Sequence, residues 1–219
     1  MKIFYCSQRS AEWYKLRCGK LTASNFHVLL RNSCTAHSFI MEKALERLTG
    51  KCVQQRFWTE DLQRGIDLEP IACREYELVT GNKVVHVGFV QHNEYVGSSP
   101  DGLVGPDGMI EIKCPNEQNF WKLYRCPRVC PQHYTQIQFN LWVCDRRWCD
   151  YVNYSTMEQP IIQRVVRDEE YIKAIEDRAA EVNRMIDMYG KKLYYTVQQK
   201  SLKFKKPTVM SGFKVANAF

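Results

Sequence analysis

The sequence predicts an α/β fold in which a central mixed β-sheet is flanked by α-helices. Three observations carry that expectation. Helical segments with start and stop signals occupy the first eighty residues, strand-like runs joined by a tight turn fill the middle, and an amphipathic stripe at helical spacing follows near the C-terminal end.

In the N-terminal part, Gly19 reads as a helix stop, and Thr22 or Ser24 as the N-cap of a helix running to about Arg31. Ser38 to Thr49 reads as helix, with Phe39, Ala44, Leu45 and Leu48 inward and Gly50 as its stop. Trp58 to Gly65 begins a further helix capped by Thr59. Pro70 is expected to bend or restart it before it runs on through Thr80 to Gly81. Lys83 to Gln91 alternates around valines and Phe89 and reads as one strand. Leu103-Val104, the turn Gly105-Pro106-Asp107-Gly108 and the run Met109 to Lys113 make a hairpin. Asn116 caps a helix to about Arg125, and Pro131 to Val143 is helical. Trp148 to Tyr154 and Ile161 to Val166 are strands, and Asp168 to Tyr189 is an amphipathic helix.

A chain of 219 residues suits one domain with an extension. The division expected is a domain over residues 1–190 and a basic tail over 191–219. From Gly190 to Phe219 there are seven lysines and no acid, which accounts for the whole formal net charge of +7. Such a tail suits phosphate contact, and equally a solvated surface. No apolar run reaches membrane-spanning length and Met1 to Ser10 lacks a signal-peptide stretch, so an intracellular location (cytoplasm or nucleus) with reduced thiols is expected despite ten cysteines.

The chemistry concentrates at the hairpin. Along the second strand Glu111 and Lys113 project to one face and Ile110 and Ile112 to the other, while Asp101 enters at the same end. Carboxylates so placed suit Mg²⁺, which polarises a phosphodiester and lowers the pKa of a bound water. The neighbouring lysine can orient that water. The pattern is the Pro-Asp…Glu-x-Lys signature of a large nuclease superfamily. Glu69, at the expected helix break, can turn a further carboxylate towards it. Arg17 opposite Ser24 makes a plausible phosphate pocket.

Five separated motifs occur in one order: Trp13-x-x-x-Arg17-x-Gly19-x-x-Thr22-Ala-Ser24, Gly65-x-x-x-Glu69, Ser99-Pro-Asp101-Gly-Leu, Glu111-x-Lys113-Cys-Pro and Gln136-x-Gln138. Together they resemble the phage lambda exonuclease family, also called YqaJ-like viral recombinases, over most of residues 10–190. The resemblance implies a restriction-endonuclease-like core. It also implies a Mg²⁺-dependent exonuclease, with Mn²⁺ able to substitute, that degrades one strand of duplex DNA from 5′-phosphorylated ends. By that resemblance Asp101, Glu111 and Glu69 hold metal, Lys113 positions the attacking water and Gln136 steadies the site. Arg17, Ser24 and Ser99 grip the 5′-terminal phosphate, and Leu62 is the apolar wedge that splits the terminal base pair. Family members form ring trimers and work with a single-strand-annealing protein, and a viral origin would fit. One acid expected about ten residues before Asp101 is replaced here by Gln91-His92-Asn93.

Three other readings compete. Cys126, Cys130, Cys144 and Cys149, with His133, could form a metal–thiolate site. The chain could be a non-catalytic module that binds DNA ends, or a structure- or sequence-specific endonuclease of the same fold.

Overall fold

A computed structural model describes residues 1–52 and 59–204. In chain order the N-terminal part comprises β1 (Lys2–Phe4), α1 (Ala11–Arg17), β2 (Leu21–Thr22), α2 (Ala23–Leu29), α3 (Cys34–Thr49) and α4 (Glu60–Thr80). The sheet region follows with β3 (Val84–Val85), β4 (Phe89–Gln91), β5 (Val96–Ser98), β6 (Gly102–Val104) and β7 (Gly108–Lys113). Then come α5 (Glu117–Arg125), α6 (Pro131–Val143), β8 (Trp148–Ser155), β9 (Glu158–Val166) and α7 (Glu169–Phe204). The expected helical start at Trp58, and Lys205, Lys206 and Lys214 of the tail, lie outside the described residues.

The helices begin where short polar side chains can take an orphan backbone N–H. Ser10, Ser33, Thr59 and Asn116 each accept from the backbone three residues on. Each such cap stabilises its helix by about 1 kcal/mol. Gly50 and Gly81 close α3 and α4 in the left-handed conformation. The cap at Ser33 starts α3 earlier than its apolar spacing suggests. Its inward face also differs: Ala36, Ile40 and Ala44 are buried, whereas Leu45 and Leu48 are exposed. The helix is turned by Glu46, which is buried because it accepts from Gly19 N–H (2.8 Å) and Lys43 Nζ (2.7 Å). Pro70 neither stops nor restarts α4, which runs unbroken through it. Ile71, Ala72, Cys73 and Tyr76 just beyond it pack in a core, and that burial outweighs the lost backbone bond.

The principal sheet is five-stranded and mixed, in the order β3-β6-β7-β8-β9. β6 and β7 form the expected antiparallel hairpin, and β7 pairs parallel with β8 across its full length. A second sheet, β1-β4-β5-β2, stands beside it. The run Lys83–Gln91 is therefore two strands in two sheets. Gly88 marks the division: a Cβ there would stand 2.1 Å from the Cys6 carbonyl oxygen, so only glycine lets the chain pass β1 so closely. Helices cover both faces of the principal sheet. Ile110, Ile112 and Val152 pack with Ala72 and Tyr76 of α4 on one face, while Met109 and Tyr151 pack with α2, α6 and α7 on the other. Helix α6 is buried nearly all round, from Thr135 to Val143. Helix α7 buries the expected stripe of Ile172, Ile175, Ala179, Val182 and Ile186. It then continues past Gly190, so the expected division at residue 190 falls inside a helix.

Candidate active site

Alternation along β7 puts Ile110 and Ile112 into the core under α4 and turns Glu111 and Lys113 to the opposite side. There a cavity of about 650 Å³ opens, walled by α1, the first half of α4, α5 and α6. Glu69, Asp101, Glu111, Lys113, Gln136, Arg17, Ser24, Ser99 and Leu62 all line it.

Glu111 is the most tightly held of these. Its carboxylate is buried, with Oε1 accepting from Lys113 Nζ (2.5 Å) and Gln136 Nε2 (2.6 Å) and Oε2 from Asn140 Nδ2 (3.0 Å). A buried charge is tolerable only with such a full set of donors. Gln136 and Asn140 lie one turn apart on α6 and so reach the same carboxylate. Asn140 is in turn held by the Ser98 hydroxyl. Gln138, two residues from Gln136, faces elsewhere: its amide bonds the Val166 carbonyl and the Asp168 N–H, fastening α6 to the start of α7.

Asp101, in the link between β5 and β6, accepts from the Ile112 N–H at 2.6 Å. Burial, then Glu111 and Glu69 beside it, hold its carboxyl well above the usual carboxylate range. Burial works to depress the Lys113 ammonium, but Glu111 and Asp101 overcome it and hold the group above its ordinary value, so Lys113 is a charged donor. Glu69 pairs with Arg9 Nη2 at 3.4 Å, and the three carboxylates do not all close to within 4.8 Å of one another. Among the described residues the trio that does close is Cys18, Glu46 and Cys52, and its carboxylate is already bound by Lys43 and Gly19. Cys126, Cys130, Cys144 and Cys149 are not gathered as ligands among the described residues; Cys144 and Cys149 are buried and Cys126 is exposed. The carboxylates of Glu69, Asp101 and Glu111 lining the cavity offer oxygen donors with three formal negative charges, a set that fits a hard divalent cation.

In the same cavity Arg17 donates to Ser99 Oγ (3.1 Å), Thr22 Oγ1 (3.2 Å) and Ser24 Oγ (3.4 Å). Its guanidinium stacks 4.2 Å from the centre of the Trp13 ring. The Trp13 indole donates to Ser99 Oγ at 2.8 Å and to the Gly88 carbonyl at 3.1 Å. Burial lowers the Arg17 pKa to about 10, which still leaves it charged. Its partners among the described residues are hydroxyls and a ring, with no carboxylate. Leu62, in the first turn of α4, is 41% exposed at the cavity rim.

Sequence reading missed Asn140, which is buried behind Glu111, and Arg9 and Asn153, which line the cavity. Asn140 carries the helical spacing to Gln136 that would have found it. Arg9 and Asn153 carry no such signal. Asn153 pairs in register with Lys113 across β7 and β8, and its buried amide finds no hydrogen-bond partner among the described residues. Gln91, His92 and Asn93, which stand in place of the missing acid, do not line the cavity. They build the β4–β5 turn, where Asn93 Oδ1 accepts from the Tyr95 and Val96 N–H groups.

The fold and this centre define a nuclease of the restriction-endonuclease-like class. The comparisons agree. An alkaline exonuclease from Laribacter hongkongensis, LHK-Exo, superposes with a TM-score of 0.81 at 31% identity, covering 87% of this chain and 99% of its own. The same figures hold for LHK-Exo in complex with dAMP. A phage-related exonuclease from Haemophilus somnus shares the fold, with a TM-score of 0.61 at 17% identity over 82% of this chain and 99% of its own. The YqaJ-like viral recombinase domain model matches residues 12–147, and the chain belongs to that family. An uncharacterised protein of Acanthamoeba polyphaga mimivirus is 24% identical over 184 residues, or 76% of this chain; the match spans about a third (32%) of that relative's length.

Proposed function

We propose that the protein is a Mg²⁺-dependent 5′-to-3′ exonuclease acting on double-stranded DNA. It removes one strand from 5′-phosphorylated ends and leaves 3′ single-stranded tails for recombination or repair by strand annealing. The observation that carries this reading is the sharing of one cavity by a carboxylate–lysine centre and an arginine whose partners are hydroxyls. The first suits phosphodiester hydrolysis, and the second keeps its charge available for a terminal phosphate. The family and the LHK-Exo likeness support nuclease action, and the dAMP complex of LHK-Exo fits a mononucleotide product.

In this reading Asp101 and Glu111 hold the divalent cation, with Glu69 as the further acidic ligand. Once bound, that cation polarises the scissile phosphate and lowers the pKa of the attacking water. Lys113 donates to the water and offsets the negative charge that grows on the phosphate oxygens. Gln136 and Asn140 keep the Glu111 carboxylate in one orientation throughout. Arg17, Ser24 and Ser99 hold the 5′-phosphate and so set the distance from the chain end to the cut bond. Leu62 at the rim parts the last base pair. Extended by the family likeness, the proposal includes a ring-shaped trimer, a strand-annealing partner protein and work inside a cell.

Digestion of linear duplex labelled at either end, with and without 5′-phosphate, tests the reading against covalently closed circles. We expect Mg²⁺-dependent release of the 5′ label, faster from phosphorylated ends, with circles untouched. Arg17→Ala should abolish the preference for 5′-phosphate over 5′-hydroxyl. Nicked circles would turn the assignment to an endonuclease, and binding without cutting to an end-binding module.

A further inference from the structure

Arg9 has φ +67°, in the left-handed region that a β-carbon disfavours and that glycine adopts freely. Unlike Asn or Asp, arginine has no short side chain to stabilise this conformation locally. Strain of this kind persists where the surroundings hold it, and it concentrates at ligand clamps. Here it aims a guanidinium at Glu69.

The contact is a loose one. At 3.4 Å it is longer than a good charge-assisted bond, and its partners are 40% and 29% exposed, so it is easily exchanged. Arg9 also stands at a junction. A second cavity of about 510 Å³, reaching Tyr5, Ser7 and His86, shares Gln8, Arg9, Glu69 and Asp101 with the first. Gln8 is fixed beside it by donating to the Pro100 carbonyl at 3.1 Å. Three other cations around the cavity are engaged differently: Lys113 with Glu111, Arg64 with Asp61 and the Cys114 carbonyl, and Arg17 with its hydroxyls.

We propose that Arg9 is a positioning residue that holds the Glu69 carboxylate in an ion pair until DNA docks, then exchanges it for a backbone phosphate of the docked strand. The exchange balances charge at both stages. Before docking, Arg9 neutralises the Glu69 carboxylate. Afterwards it neutralises a phosphodiester while Glu69 turns to the metal. The inference rests on the nuclease reading for its ligand, and on the geometry of Arg9 for its mechanism.

The test uses the full chain carrying Arg9→Gly or Arg9→Lys. Glycine relieves the backbone, so Arg9→Gly should raise Tm by roughly 2 °C. Without DNA, its Mn²⁺ affinity measured by calorimetry should rise several-fold, because Glu69 is released. With Ca²⁺ in place of the catalytic ion, its affinity for 5′-phosphorylated duplex should fall about tenfold, and the salt slope should drop by about one. Arg9→Lys, which keeps the charge but not the fork, should fall between the two. Unchanged Mn²⁺ affinity and unchanged DNA affinity in Arg9→Gly would overturn the proposal, even with the expected rise in Tm. Failure of the unsubstituted protein to bind duplex in Ca²⁺ would instead sink the nuclease reading, while the Mn²⁺ titration would still report on the latch.

Discussion

Lys113 is kept charged by two carboxylates in a setting where burial works against its proton. Its role is therefore that of a donor and a counter-charge, and Lys113→Ala should remove turnover while leaving duplex affinity in Ca²⁺ within a few-fold. Substantial residual cutting would refute the role. His133, on the same cavity wall, behaves oppositely. Burial, then Lys113 and His27, push its imidazole down to about 4, and the Tyr151 hydroxyl meets its Nδ1 at 2.6 Å. An unfolded histidine gains its proton near pH 6.5, whereas the folded one waits until about 4. The stability from keeping it neutral is thus complete above about 6.5 and drains away as pH falls towards 4. Urea midpoints between pH 7 and 4 should fall less steeply in His133→Asn than in the parent.

Among the elements, the β6–β7 hairpin was legible because its turn and its alternation are contiguous in sequence. The short strands β1, β2 and β5 were not, since two or three residues carry no period. The split of Lys83–Gln91 followed from Gly88, whose meaning lies in a carbonyl eighty-two positions earlier in the chain. Gly88→Ala should lower stability by about 1–3 kcal/mol through that collision. Gly190→Ala, with no neighbour within 4 Å of the new carbon and a helical backbone, should instead gain about 0.5–1 kcal/mol. Paired thermal melts of the two variants check the contrast. In α3 the apolar spacing misjudged the inward face because Glu46 answers to the Gly19 N–H, a tertiary partner no local window contains. Tertiary pairing also hid Arg9, whereas Asn140 was visible in principle, one turn from Gln136.

For the whole molecule, the nine site residues that the resemblance nominated line one cavity, while Gln138 of the same motif string faces elsewhere, because motifs far apart in sequence report on a shared surface and on its supports alike. What that string could not foresee was the state of that surface: Glu111 saturated with donors, Glu69 paired with Arg9. The lysines Lys205, Lys206 and Lys214 bear on a larger scale still. Deleting residues 205–219 should lower the salt slope of duplex binding by up to about three, if each meets a phosphate; an unaltered slope would dismiss the tail from binding. Trp13 lies directly beneath Arg17 and shares its indole proton with Ser99. An anion arriving on the guanidinium alters the electric field across that ring, so the emission spectrum of the protein, referenced to a Trp13→Phe control, doubles as an optical gauge of end capture that works before any bond is cut.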